Sequence, residues 1–404
     1  MKSHAGLFSL LLLASPFLEA QAVVDAPITI PLYYTAIDGG AHKWGIYASL
    51  AGGATPQLFE FDTGGGGFYA VYSSTPPPAS PWWGMDYTVV NTNASIVYDS
   101  GYSYSGNTVT APVTLYSGSS GGSAVATFSG MMVGQIGSII DTKKGNAVKW
   151  PSGSPPIDGA FYGDFGMDLT ANSNGIVNLV EQMTFANGVI PGFIVNTPLN
   201  GSNGYLQIGL SSSQTNQGGF NYFTMNPLSL GTNAAGTPYY SQSSVNLNLG
   251  ISNPATGSNY STNIGIITDT GATPNIHNTQ NASNPPFPSE WINGDKSLKD
   301  GLILTLSGTN TTGSNVTVYS ITTASANDYA NFTGNVIVQD TATTHTNFAI
   351  NAGLYFFDHQ QVTYDLSNGL IGMGPLDVPE PSTYALFGIG AIGLLMVMRR
   401  KKAA

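Results

Sequence analysis

Leu58-Phe59-Glu60-Phe61-Asp62-Thr63-Gly64 and Ile264-Gly265-Ile266-Ile267-Thr268-Asp269-Thr270-Gly271 decide how this chain folds. Each is a mostly apolar, β-forming run that ends in Asp-Thr-Gly, so each predicts a strand entering a tight turn. Either copy alone is weak in a chain so rich in Thr and Gly. The pair is stronger, because the two lie in corresponding places of two halves. Two carboxylates brought face to face cannot both ionise, so they hold one proton between them. Asp62 and Asp269 can then act as base and acid in one reaction. Gly64 and Gly271 permit the turns that deliver the carboxyls, while the hydroxyls of Thr63 and Thr270 can bond across to the opposite loop.

Outward from these motifs, residues 28–376 alternate short β-branched and aromatic runs with Gly, Asn, Ser and Pro. Strands are expected at 57–61, 95–98, 108–115, 124–128, 204–208, 243–249, 301–306 and 316–322. One segment, 176–186, has a helical period, with Gly188 just past its end. The fold class is therefore all-β with few short helices. Polar, glycine-rich stretches at 211–219 and 231–236 suggest a connection between lobes. The division is 23–210 for an N-terminal lobe, 211–240 for the connection and 241–376 for a C-terminal lobe.

Composition excludes several function classes. Only 8% of residues are charged, and the net charge of -11 reflects scarce bases, so nucleic acid is not an expected partner. Cysteine is absent, which removes disulfides, thiol nucleophiles and cysteine-ligated zinc. His4, His42, His277, His345 and His359 show no metal-ligand spacing and are expected mostly in loops or on the surface. Asp158, Asp164 and Asp168 cluster without enough alternating oxygens for a calcium loop, and are expected as exposed loop carboxylates. No metal and no cofactor is expected.

The two ends carry an address. Lys2 and His4 precede an apolar run, and Ala20-Gln21-Ala22 supplies a cleavage site, so residues 1–22 predict a signal peptide. At the other end Pro379-Glu380-Pro381 precedes an apolar run at 384–398 and then Arg399, Arg400, Lys401 and Lys402. The basic end orients a transmembrane helix with the body outside. Residues 377–404 resemble the PEP-CTERM sorting signal. The resemblance implies exosortase as a partner, membrane contact through this helix, and export to the cell envelope, outer surface or extracellular matrix. Gly388, Gly390 and Gly393 fit a dinucleotide-binding pattern, but inside a membrane run they lack the strand and soluble helix that pattern needs.

Over residues 28–375 the chain resembles the pepsin-like aspartic peptidases. Beyond the paired motifs, Ile96-Val97-Tyr98 and Gly101 resemble the hairpin flap that closes over substrate, and Tyr69 falls where the family usually has the flap-supporting tryptophan. Residues 156–163 resemble the apolar-apolar-Gly segment under the first aspartate. Residues 204–209 resemble the strand closing the first lobe, and 352–357, 362–365 and 370–373 the final strands. The resemblance implies a bilobal pepsin-like double β-barrel. It also implies a monomeric endopeptidase in which Asp62 and Asp269 activate water against a peptide or protein substrate. The chain departs from the family at Gly65 and Ala272, which stand where a hydroxyl residue is usual, and in its run of four glycines at 64–67. Those departures motivate the alternative of a catalytically inactive surface module that binds peptide or an extracellular polysaccharide matrix.

Overall fold

The computed structural model describes residues 22–73, 82–98, 100–119, 122–148, 155–170, 174–198, 204–216, 219–278, 288–326, 333–340 and 349–376. All but the last residue of the expected signal peptide, and the whole sorting tail with its helix, lie outside the described residues. Among those described, no helix is long and apolar enough to cross a membrane.

The protein is mostly β, with only short helical turns. Period-two burial explains why: in strand His42–Leu50, Trp44, Ile46, Ala48 and Leu50 are all fully buried, and in Ser258–Ile267 the inward set is Tyr260, Thr262, Ile264 and Ile266. Among the described residues these runs assemble into a 14-stranded and an 8-stranded sheet, with two two-stranded sheets beside them.

The two large sheets repeat one arrangement around the two Asp-Thr-Gly loops. In the first, strand Gly163–Gly166 lies parallel to Gln57–Asp62 and antiparallel to Phe68–Val71. In the second, Ala349–Asn351 lies parallel to Ser258–Ile267 and antiparallel to Asn275–Asn278. Each Asp-Thr-Gly loop thus joins the two outer strands of a three-strand unit. The last strands among the described residues, Gln360–Asp365 and Leu370–Pro375, pair with each other, and the former also pairs with Ile190–Asn196. These strands thereby join the 14-stranded sheet that holds Gln57–Asp62.

Three local expectations are corrected. The helical period at 176–186 folds instead as a single 3-10 turn, Val180–Gln182, followed by strand Thr184–Phe185. Its apolar residues are buried as a helix face would be, but Asn178 caps the turn locally. The Asn178 side chain accepts from the Glu181 amide at 3.0 Å and donates to the Asp168 carbonyl at 2.9 Å, bonds that compete with a continuing helix. Residues 353–357, expected as strand, form the one-turn helix Gly353–Phe357, entered through Gly353 at φ +66°. The segment beside the first aspartate is Gly163–Gly166, not 156–163, so the residue facing Glu60 is Asp164.

Candidate active site

The two Asp-Thr-Gly loops meet back to back and are tied by four buried hydrogen bonds. Thr63 Oγ1 donates to the Thr268 carbonyl at 2.8 Å and accepts from the Thr270 amide at 3.0 Å. Thr270 Oγ1 donates to the Phe61 carbonyl at 2.7 Å and accepts from the Thr63 amide at 3.1 Å. Threonine suits this role because one hydroxyl donates and accepts at once. Behind the loops Gln242 Nε2 donates to the Thr63 carbonyl at 3.3 Å, and its Oε1 accepts from the Thr268 amide at 3.2 Å. One amide side chain therefore links both loops a second time.

This clasp aims the two carboxyls at each other. Asp62 Oδ1 accepts from the Gly64 amide at 2.8 Å, and Asp269 Oδ1 from the Gly271 amide at 2.7 Å. A Cβ on Gly64 would lie 2.4 Å from Asp269 Cγ, and one on Gly271 would lie 2.6 Å from Asp62 Cγ. Each carboxyl is therefore seated on the glycine of the opposite loop, a contact any side chain would block. The glycine run 64–67 is pinned as well. Gly65 and Gly67 accept from the Asp168 and Gly166 amides at 2.9 and 3.0 Å, and the Asp62 carbonyl accepts from the Met167 amide at 2.7 Å.

Burial, then the neighbouring charges of Asp269, Asp164 and Glu60, push Asp62 well above the usual carboxylate range. Asp164 is raised well above it too, first by burial and then by Glu60. Lys43 answers part of this charge, with Nζ 2.7 Å from Glu60 Oε1 and 3.0 Å from Asp158 Oδ2. Burial alone would lower the Lys43 ammonium, but Glu60 and Asp158 outweigh it and hold it charged.

The aspartates open into a cleft of about 590 Å³. Its walls include Tyr98 and Ser100, Tyr104, Ala272, His277 and Asn351. Tyr98 stands at the head of a hairpin between strands Thr88–Val97 and Tyr102–Tyr116, closed by a Tyr98 amide to Tyr102 carbonyl bond of 2.9 Å. Gly101 supplies the turn at φ +99°, its amide donating to the Tyr98 carbonyl at 2.9 Å. The Tyr98 hydroxyl is enclosed, and burial followed by Asp164 raises it well above its ordinary value. Tyr69 is buried behind the hairpin, not in the cleft. Asn174 Nδ2 donates to Tyr69 Oη at 2.7 Å and to the Ser95 carbonyl at 2.8 Å, linking Tyr69 to the hairpin strand.

Chemically, the arrangement is a pair of acids facing a cleft, with the proton affinity of Asp62 raised, under a tyrosine-bearing hairpin. Among the described residues no group of His, Asp and Glu could hold a metal ion. Residues 377–401 carry the PEP-CTERM protein-sorting motif. That motif implies export and association with the cell envelope. No curated protein matches the chain. Among solved structures, the aspartic proteinase from Irpex lacteus is similar over 88% of this chain and 99% of its own, at 15% identity and a TM-score of 0.48.

The structure brings Asp62, Asp269, Thr63, Thr270, Gly64, Gly271 and Tyr98 together, with Gly101 and Tyr69 supporting the hairpin. Sequence reasoning missed Asp164, Asn351, Glu60 and Lys43. Asp164 is 3% exposed, which corrects its expectation as an exposed loop carboxylate, because strand pairing carries it under the first aspartate. His277, expected at the surface, is buried in strand Asn275–Asn278, where it pairs in register with Ala349. The one available signal was Gly163-Asp164-Phe165-Gly166, whose flanking glycines allow close backbone approach.

Proposed function

We propose that the chain is an exported aspartic endopeptidase of bilobal, pepsin-like architecture that hydrolyses peptide bonds with a water activated by Asp62 and Asp269. The observation that carries this reading is the reciprocal seating of each carboxyl on the other loop's glycine. With one proton between the pair, the ionised carboxylate takes a proton from water as the water oxygen bonds to the peptide carbonyl carbon. The protonated partner gives its proton to the carbonyl oxygen, yielding a neutral tetrahedral diol. Collapse of the diol breaks the C–N bond: the carboxyl that took the water proton gives it to the leaving nitrogen, and the other carboxylate takes the proton of one diol hydroxyl as the carbonyl forms, which restores the single shared proton. No covalent enzyme intermediate forms and no metal or cofactor takes part. Thr63 and Thr270 brace the loops, and Tyr98 covers the substrate once it lies in the cleft.

In the same proposal the protein works as a monomer on the outer side of the inner membrane, with residues 377–404 presenting the body to an exosortase. Incubating the purified protein with a mixed peptide library from pH 3 to 7 tests the enzymatic reading. Internal cleavage products, most abundant at acidic pH, support it. An intact library that nevertheless binds saturably would instead identify a peptide-binding module.

A further inference from the structure

The internal repeat places two residues in equivalent positions beside the two aspartates. Asn351 faces Ile267 in the parallel pairing of the second unit, two residues before Asp269. Asp164 faces Glu60 in the first unit, two residues before Asp62. Asn351 Nδ2 donates to Asp269 Oδ2 at 2.6 Å. An ionised Asp164 has no proton with which to make the matching bond.

The surroundings of Asp164 require one. Both of its oxygens are enclosed and neither makes a hydrogen bond of good geometry; the nearby Tyr98 hydroxyl favours the ionised form, but burial and the charge of Glu60 outweigh it. A Cβ on Gly65 would lie 2.6 Å from Asp164 Oδ2 and 2.8 Å from Asp62 Oδ2, so the two oxygens flank a single small gap. Two buried charges across that gap would repel strongly. The groups around it are Asp62, Glu60 and Asp269, the Tyr98 and Tyr104 hydroxyls, and Lys43. Lys43 is already paired with Glu60 and Asp158, so its charge offsets only part of the burial and repulsion at Asp164.

We propose that Asp164 is a positioning residue that keeps its carboxyl proton across the working range of the cleft and donates it to Asp62, as the Asn351 amide donates to Asp269. Each aspartate then has one fixed donor on the side away from its own loop glycine. Asp62 is held as an acceptor, which orients it for water. The kinetic part rests on the peptidase reading; the protonation state does not.

Infrared difference spectroscopy of the whole protein at about pH 6, well above the usual carboxyl range, tests the protonation directly. Asp164→Asn should lose one protonated-carboxyl C=O band relative to wild type. No lost band overturns the proposal, whether or not the protein cleaves peptides. The pH–rate profile supplies the second readout. Asp164→Asn keeps a donor and should leave the acidic limb in place, whereas Asp164→Leu should move that limb up by on the order of one pH unit. If Asp164 were ionised, removing its charge in Asp164→Asn would move the limb down, and that result would also overturn the assignment. Peptides left uncut by wild type while the band behaves as expected would remove the peptidase reading and leave the proton on Asp164.

Discussion

Replacing Thr63 by valine probes the clasp that the whole site hangs on. The side chain is fully buried, and valine reproduces its shape while deleting Oγ1. The hydroxyl donates to the Thr268 carbonyl at 2.8 Å and accepts from the Thr270 amide at 3.0 Å, so its loss strands one acceptor and one donor away from water. Each stranded group costs about 1–3 kcal/mol, so Thr63→Val should destabilise the fold by about 2–6 kcal/mol. Thr63→Ser keeps both bonds and loses one methyl, at about 1 kcal/mol. Urea denaturation of the two variants measures the difference. Thr270→Val breaks the mirror-image bonds, and because the loops share four of them, the double variant should fall short of additivity by about 1 kcal/mol or more. Thr63→Val as mild as Thr63→Ser, with additive double-mutant costs, would refute the claim that the hydroxyls hold the loops together.

Further outcomes follow from the same geometry. Gly271→Ala places a Cβ 2.6 Å from Asp62 Cγ and should force the carboxyls apart, cutting peptide cleavage by about a hundredfold while the sheets stay folded by circular dichroism. Undiminished turnover would show that the carboxyls need no such approach. Burial raises Glu60, Asp62, Asp164, Asp168 and Glu181, and it raises Asp358 to about 8. A carboxyl whose folded value lies above its unfolded one binds more protons when folded. Its stabilisation is therefore complete below about pH 4 and is lost as pH rises through the folded value, which for Asp358 is about 8. The melting temperature should fall between pH 4 and 8, and Asp358→Asn should flatten that slope; a wild-type melting temperature that climbs over this range would contradict the sign. Gly65→Ser should be harmful in wild type, where its Cβ meets Asp164 Oδ2 at 2.6 Å, and less so in Asp164→Ala, where only the 2.8 Å approach to Asp62 Oδ2 remains. Equal melting-point losses in both backgrounds would show that the gap is not shared.

Much of the site was legible because its logic is local. Asp-Thr-Gly after an apolar strand states both a turn and a carboxyl, and two copies state a pair. The strands were legible where burial alternates, as in Asn246–Asn253 and Asn315–Thr323, although the first begins three residues later than expected because Gln242–Ser244 forms a 3-10 turn. Asp164 was not legible, since its burial depends on parallel pairing with Glu60, about a hundred residues away, and the flanking Gly163 and Gly166 mark a close backbone approach without naming the partner. Asn351 was hidden for the same reason: its role needs Ala349–Asn351 to lie beside Ser258–Ile267. The helix expected at 176–186 failed differently. Its apolar spacing is real, yet Ile176, Leu179, Val180 and Met183 are buried around an Asn178-capped turn instead of along one helical face.

Hydrolysis of one peptide by wild type, Asp62→Asn and Asp269→Asn, followed by mass spectrometry near pH 4, bears most directly on the shared-proton dyad. Wild type should cut the peptide, and both asparagine variants should fall by three orders of magnitude or more with their folds intact, roughly the loss expected when an acid–base pair is broken. Retention of wild-type turnover by either variant would show that the two carboxyls do not perform the reaction.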